Sequence, residues 1–206
     1  MELAIETALH ACSAALIDRG RIVAERHEII ARGHAERLVP LIAELLAEAG
    51  VTRANRIAVD VGPGSFTGIR VGLAAARAFG LAWKAPVDGF TSTALVAAGV
   101  FADHPDIDRL YVAFDASRGE VYAQAFDRDG RAGPLDALAP DAAAAAAPGR
   151  TVAGSGAALL SAVDPSLAVI DHPWPRAADA RHLPAAARGE AARPLYIRAP
   201  DAKVPA

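Results

Sequence analysis

Four glycines and a proline punctuate the run VGPGSFTGIRVG, residues 61–72. A glycine-rich turn leading from a strand into a helix can hold phosphate, through backbone N–H groups and the positive end of the helix. Two nucleotide fingerprints can be tested against the spacing. The phosphate loop G-x-x-x-x-G-K-[ST] needs glycine five residues before Gly68, where Pro63 stands, and Arg70 does not supply its lysine. The dinucleotide pattern G-x-G-x-x-G starts at Gly62 and Gly64 but meets Thr67 at its third position, with Gly68 one residue late. Two readings stand. One is a tight turn in which Gly62, Gly64 and Gly68 take unusual backbone angles while Ser65 or Thr67 caps the next helix. The other is an anion cradle at the helix start. The spacing favours the turn.

Other side chains offer less. His10, His27, His34, His104, His172 and His182 are the six histidines, and no two are three or four residues apart, so no helical pair can grip a metal. His34, at the start of a helix, reads as a cap or partner contact. Cys12 is the single cysteine and lies among Ala11, Ser13 and Ala14. It has no flanking base or cation, so it reads as buried and inert. Glu6, Asp60 and Asp115 stand at strand ends. Carboxylates so placed hold a cation or cap a turn, and the lack of a matched cluster favours caps. The turn after Glu6 and Thr7 lacks the glycine that would let it approach phosphate closely.

These residues sit in a 206-residue chain that is 53% hydrophobic and carries a net charge of -3, enough apolar content for a real core. No basic excess points to nucleic acid, so any RNA contact is local or shared with a partner. One cysteine permits neither an internal disulfide nor a cysteine-based zinc site. The N-terminus lacks the basic start and apolar run of a signal peptide, and no stretch has the length of a membrane span. The chain reads as soluble and cytoplasmic.

The elements that would position the candidates follow from periodicity. ELAIET and CSAALIDRGRIVAERHEII read as three strands broken at Asp18, Arg19 and Gly20. HAERLVPLIAELLAEAG carries Leu38, Leu41, Ile42, Leu45, Leu46 and Ala49 in a helical stripe that stops at Gly50, with Pro40 placed early. RIAVDVG reads as a buried strand. A second helix runs from about Thr67 to Lys84; it is small-residue rich and apolar nearly all round, so coverage on more than one side is expected. LYVAFDAS and GEVYAQAFDRDGR read as a strand pair with a turn at Asp129 and Gly130. Residues 142–147 read as a short helix or loop, RTVAGSG and LAVIDH as strands, and PRAADARHLPAAARG as a helix. The end, RPLYIRAPDAKVPA, reads as an anchored segment with a loose tail. A boundary near residues 102–107 divides the chain into 1–104 and a smaller 105–206.

LAIETALHACSAAL, HAERLVPLIAELLAEAG, DVGPGSFTGIRVGLAAARAFGLA, FDASRGEVYAQAF and RPLYIR, in this order, resemble the bacterial TsaB (YeaZ) family. GPGSFTGIRVG is the most specific of them, and the likeness is dense in the first half and thin in the second. The resemblance implies an α/β fold of the actin-like, ASKHA or ribonuclease H-like type, with two related lobes and the second reduced. It implies a role in making threonylcarbamoyladenosine (t6A) beside the anticodon of tRNA. In that family TsaB is not the catalyst. Its paralogue TsaD carries a metal-binding H-x-x-x-H, and aligning that segment on PVDGFTSTALVA puts Ser92 and Val96 at the histidine positions. No metal, cofactor or catalytic residue is therefore expected.

The resemblance also implies partners: TsaD, held by the helices near 34–50 and 67–84, with the ATPase TsaE joining. Self-pairing through the same face is expected without TsaD, and tRNA is contacted only indirectly. Leu38, Leu41, Ile42, Leu45, Ile69, Leu73 and Ala76 are the expected contributors to this interface, with the outward or inward direction of each left open. The rival readings are an ATP-dependent actin-like kinase or ATPase and a protease-like enzyme. The first would need well-placed phosphate glycines, and the second a nucleophile motif such as G-x-S-x-G, which the GSG at Gly154–Gly156 does not supply.

Overall fold

The structure is a computed structural model and describes residues 1–197. The expected loose tail lies outside the described residues.

The first sheet begins with β1 (Glu2–Glu6), β2 (Ala11–Asp18) and β3 (Arg21–Ile29), an antiparallel meander. Its β2–β3 turn has both Arg19 and Gly20 at positive φ, the geometry that matches the twist of a two-residue hairpin. Helix α1 (His34–Glu48) crosses to β4 (Arg56–Asp60), which pairs parallel with β1. Helix α2 (Phe66–Trp83) crosses to β5 (Val87–Phe90), parallel to β4. Helix α3 (Ser92–Asp103) then leads to the second sheet.

That sheet holds β6 (Arg109–Asp115), β7 (Val121–Asp127) and β8 (Ala132–Leu138), joined as antiparallel neighbours. The β7–β8 turn sits at Asp129 and Gly130, as the Asp-Gly pair predicts. After α4 (Pro140–Ala145), β9 (Thr151–Ala153) adds parallel to β6, and α5 (Ala157–Val163) follows. The chain then returns to the first sheet. Residues Ala177–His182 form a 3₁₀ helix against β2 and β3, and β10 (Glu190–Ala191) pairs with β5.

The result is layered. Helices α1 and α2 cover one face of the first sheet, with Leu38, Leu41, Ile42, Leu45, Ile69 and Leu73 packed on Leu3, Ile5, Leu16, Ile57 and Val59. Each such side chain taken from water contributes roughly 1.5–3 kcal/mol. On the opposite face α3 and residues 177–183 lie between the two sheets, where Leu95, Val96 and Val100 meet Val112 and Phe114. Helices α4 and α5 cover the far side of the second sheet.

Several sequence expectations need correction. The helix buried all round is α3, whose residues 92–100 are all buried. Helix α2, expected to be covered on more than one side, leaves a whole face open. Pro40, expected early in α1, is the seventh of its 15 residues, with its ring exposed. LAVIDH contributes a single bridge, Val169 to Val152, and not a strand. PRAADARHLPAAARG forms two short 3₁₀ turns, because Pro184 lacks the N–H that would continue a helix. Residues 177–191, assigned by sequence to the second lobe, lie on the first sheet.

Candidate functional site

Two features dominate the first sheet: the glycine turn, where strand ends meet helix starts, and the outer surface of α1 and α2.

The glycine turn packs directly on the β1–β2 turn. The Ser65 N–H donates to the Ala8 carbonyl at 2.6 Å, and the Thr7 hydroxyl donates to the Gly68 carbonyl at 2.8 Å. A Cβ at Gly64 would stand 2.2 Å from the Ala8 oxygen, and one at Gly68 would stand 2.1 Å from the Thr7 oxygen. These glycines are therefore required by close backbone approach. Ser65 is the N-cap of α2, its Oγ accepting from the Gly68 N–H at 3.3 Å. Thr67 lies exposed within the first turn and is not the cap. Gly62 follows Asp60 closely, and its N–H donates to Asp60 Oδ1 at 2.7 Å. The N–H groups of Gly62, Ser65 and Gly68 are thus already bonded within the chain. The carbonyl oxygens of Thr7 and Ala8 press on the turn and present negative ends where phosphate would need positive ones.

The carboxylates divide. Asp115 is exposed and its Oδ1 accepts from the Ser117 N–H at 2.8 Å, a plain turn cap. Glu6 and Asp60 are buried, at 0% and 2% exposure. Glu6 Oε1 accepts from the N–H groups of Ala8 and Leu9 at 2.7 and 3.3 Å. Asp60 Oδ1 also accepts from the Ser92 hydroxyl at 2.8 Å. Burial pushes Asp60 up to about 7. Burial, and then the charge of Asp60, hold Glu6 well above the usual carboxylate range.

Ser92 and Val96 are buried at the start of α3, and Thr93 donates to Gln124 Oε1 at 2.6 Å, tying α3 to β7. His34 is buried and its Nε2 lies 3.0 Å from the Ala11 carbonyl oxygen. Cys12 is fully buried. Among the described residues, no three histidine, cysteine, aspartate or glutamate side chains are placed to hold a metal ion.

The expected interface residues face inward. Leu38, Leu41, Ile42, Leu45, Ile69, Leu73 and Ala76 are at most 2% exposed, all sealed against the first sheet. A side chain with no accessible surface in the folded chain cannot touch a partner. The helices nonetheless present an outer surface made of other residues. On α2 it comprises Phe66, Arg70, Ala74, Arg77, Ala78 and Leu81, with Leu81 85% exposed. On α1 it comprises Val39, Pro40 and Ala43 beside Glu36, Glu44 and Glu48.

The C-terminal segment straps this surface. Arg77 donates to the Ala192 carbonyl at 2.7 Å and Arg70 Nε to the Tyr196 hydroxyl at 2.8 Å. The Arg70 guanidinium lies 3.5 Å from the Phe66 ring centroid, and the Phe66 and Tyr196 rings stack at 5.4 Å.

The chain matches the family model described as TsaD, tRNA N6-adenosine threonylcarbamoyltransferase, over residues 21–148. The solved structure of YeaZ from Pseudomonas aeruginosa superposes with a TM-score of 0.80 at 30% identity, covering 95% of this chain and 98% of that one. The chain belongs to the TsaB (YeaZ) family.

The TsaB protein of Escherichia coli is 36% identical over 129 residues, 62% of this chain and 55% of the relative. An uncharacterized Mycobacterium tuberculosis protein is 38% identical over 98% of this chain and 93% of its own length. These matches establish the actin-like, ASKHA-type fold of the TsaB family here: two sheets with helices on their faces and the second lobe reduced. No helix among the described residues is long and apolar enough to cross a membrane.

The direction of the expected interface residues, open in the sequence, is inward, and the exposed side chains of α1 and α2 are other ones. The missed signal was charge spacing. Arg70 and Arg77 stand seven residues apart on α2, with Lys84 at its C-cap, and mark its water side. Tyr196 was legible only as part of RPLYIR and carried no mark of its place against α2.

Proposed function

We propose that this chain serves t6A biosynthesis as a subunit that catalyses no step itself and docks a TsaD-type protein through the outer surface of α1 and α2. One observation carries the reading: beyond the strap at Phe66 and Tyr196, α2 presents Ala74, Ala78 and Leu81 to solvent along one face. Exposed apolar side chains grouped on one helix face, here interleaved with Arg70 and Arg77, suit an association site with a polar rim. A stable contact needs about 1,000 Å² in total, within reach of two helices of 15 and 18 residues. The names of the TsaB relatives supply the pathway.

The ATPase TsaE joins the assembly, and the same face supports self-pairing when TsaD is absent. The tRNA is contacted indirectly, and the protein works in the cytoplasm without a cofactor of its own. The ATP-dependent alternative has less support, because the glycine turn is packed by carbonyl oxygens.

Co-purification with the TsaD of the same organism, followed by an assay of tRNA modification with and without this chain, tests the proposal. Modification that depends on the chain is expected. Full modification in its absence would overturn it.

A further inference from the structure

Glu6 ends β1 and Asp60 ends β4, two parallel strands whose register pairs Ile5 with Val59 immediately before them. Side chains alternate along a strand, so both carboxyls point to the face shared by Ala4 and Ala58, toward α3. Each uses one oxygen to cap a turn. The other oxygens, Glu6 Oε2 and Asp60 Oδ2, are buried and have no protein partner. Two adjacent buried carboxylates cannot both stay ionised without a compensating ion or proton.

Among the described residues, the elements packed on the pair bring it no cation: in the segment at 176–182, Arg176 pairs with Glu25 at 2.9 Å and Asp179 with His172 at 3.8 Å. Helix α3 has no charged residue before Asp103, and the first charge on α2, Arg70, is directed outward to Tyr196. On β5, Asp88 is paired with Arg56 at 2.5 Å. On β2, Ser13 stands beside Glu6 and carries no charge, while Cys12 points to the other face of the sheet. A calcium ion would need six or more oxygen ligands, and a magnesium ion would have to bring several of its waters into a site where Glu6 and Asp60 are 0% and 2% exposed. The pair offers two free carboxyl oxygens.

We propose that Glu6 and Asp60 hold a single proton between them, as a carboxylic acid bonded to a carboxylate, and that this pair locks the β1–β2 turn to the glycine turn. The raised proton affinities of both groups agree. The lock bears on the docking face, since Asp60 positions Gly62 and the glycine turn starts α2. It does not depend on which partner binds there.

The sign follows from linkage. Above about pH 5 the unfolded chain carries both carboxyls ionised, while the folded chain keeps one proton. The folding equilibrium constant therefore falls by up to about tenfold per pH unit from this pair, until the folded pair loses its proton.

Urea unfolding of the full chain between pH 5.5 and 9 tests it, with Glu6→Gln and Asp60→Asn beside the wild type. Either amide donates the same hydrogen bond without a titrating proton. Both variants should lose the extra slope and gain stability relative to wild type as pH rises. Equal slopes in all three proteins would overturn the proposal. Infrared difference spectroscopy decides the matter if the variants do not fold: the wild type should keep a protonated carboxyl C=O band above pH 7, and absence of that band overturns the lock. Stabilisation of the wild type at high pH by calcium or magnesium would assign the site to a cation, and also overturns it.

Discussion

The Thr7 hydroxyl bonds the Gly68 carbonyl at 2.8 Å across 61 residues of sequence, and Gly68 has no room for a side chain beneath it. This contact joins the β1–β2 turn to the first turn of α2, so the angle at which α2 leaves the sheet is set by backbone packing. It also explains why a sequence that resembles a phosphate loop has a turn filled by its own chain.

Gly68→Ala should therefore destabilise the fold by about 3 kcal/mol or more, because the new methyl meets a backbone oxygen that cannot move away alone. Gly64→Ala should behave alike against the Ala8 carbonyl. Urea denaturation of both variants is the measurement. Wild-type midpoints would mean that the two turns are not in contact.

The two sides of the outer helices should separate stability from docking. Leu41→Ala, in the sealed core, should cost about 2–5 kcal/mol of stability. Leu81→Glu, on the open face, should change stability by no more than about 0.5 kcal/mol. The same Leu81→Glu should weaken binding to TsaD, read by calorimetry on the pair. Undiminished binding by the folded variant would remove Leu81 from the interface.

The strap at Tyr196 should have a small, local energy. Tyr196→Ala removes the ring stacked on Phe66 and the hydroxyl that accepts from Arg70. A loss of roughly 0.5–1 kcal/mol is expected for such an exposed cation–π and aromatic contact. Hydrogen exchange should rise at residues 192–196 and in the first turn of α2, and stay unchanged in α3. Uniform change across the chain would contradict a local strap.

Cys12 should resist thiol reagents in the folded protein. Burial, with Glu6 and Glu28 nearby, pushes its thiol up to about 12. At pH 8 the thiolate that reacts is scarce and enclosed, so labelling should follow the unfolding rate and accelerate with urea. Labelling as fast as that of a free thiol under native conditions would place Cys12 at the surface.

The amino-acid order specifies strands β1 to β4, helices α1 and α2, the hairpin turns at Arg19–Gly20 and Asp129–Gly130, and the α/β class. Those features rest on local period and turn chemistry, which a chain carries wherever it packs. It did not determine β5, α3 or β10. Helix α3 is apolar on every side because two sheets enclose it, and an all-apolar run has no period to read. β10 is two residues long and exists only because β5 offers it an edge.

The same division runs through the functional surface. Leu38, Leu41, Ile69 and Leu73 announce apolar stripes, but a stripe says only that a face is covered, and the first sheet covers it before any partner can. The open face of α2, the Tyr196 strap and the Glu6–Asp60 pair depend on segments up to 130 residues apart in the chain and adjacent in space. Only the tertiary structure brings them together, because contact between distant residues is decided by packing and not by the pattern of either segment alone.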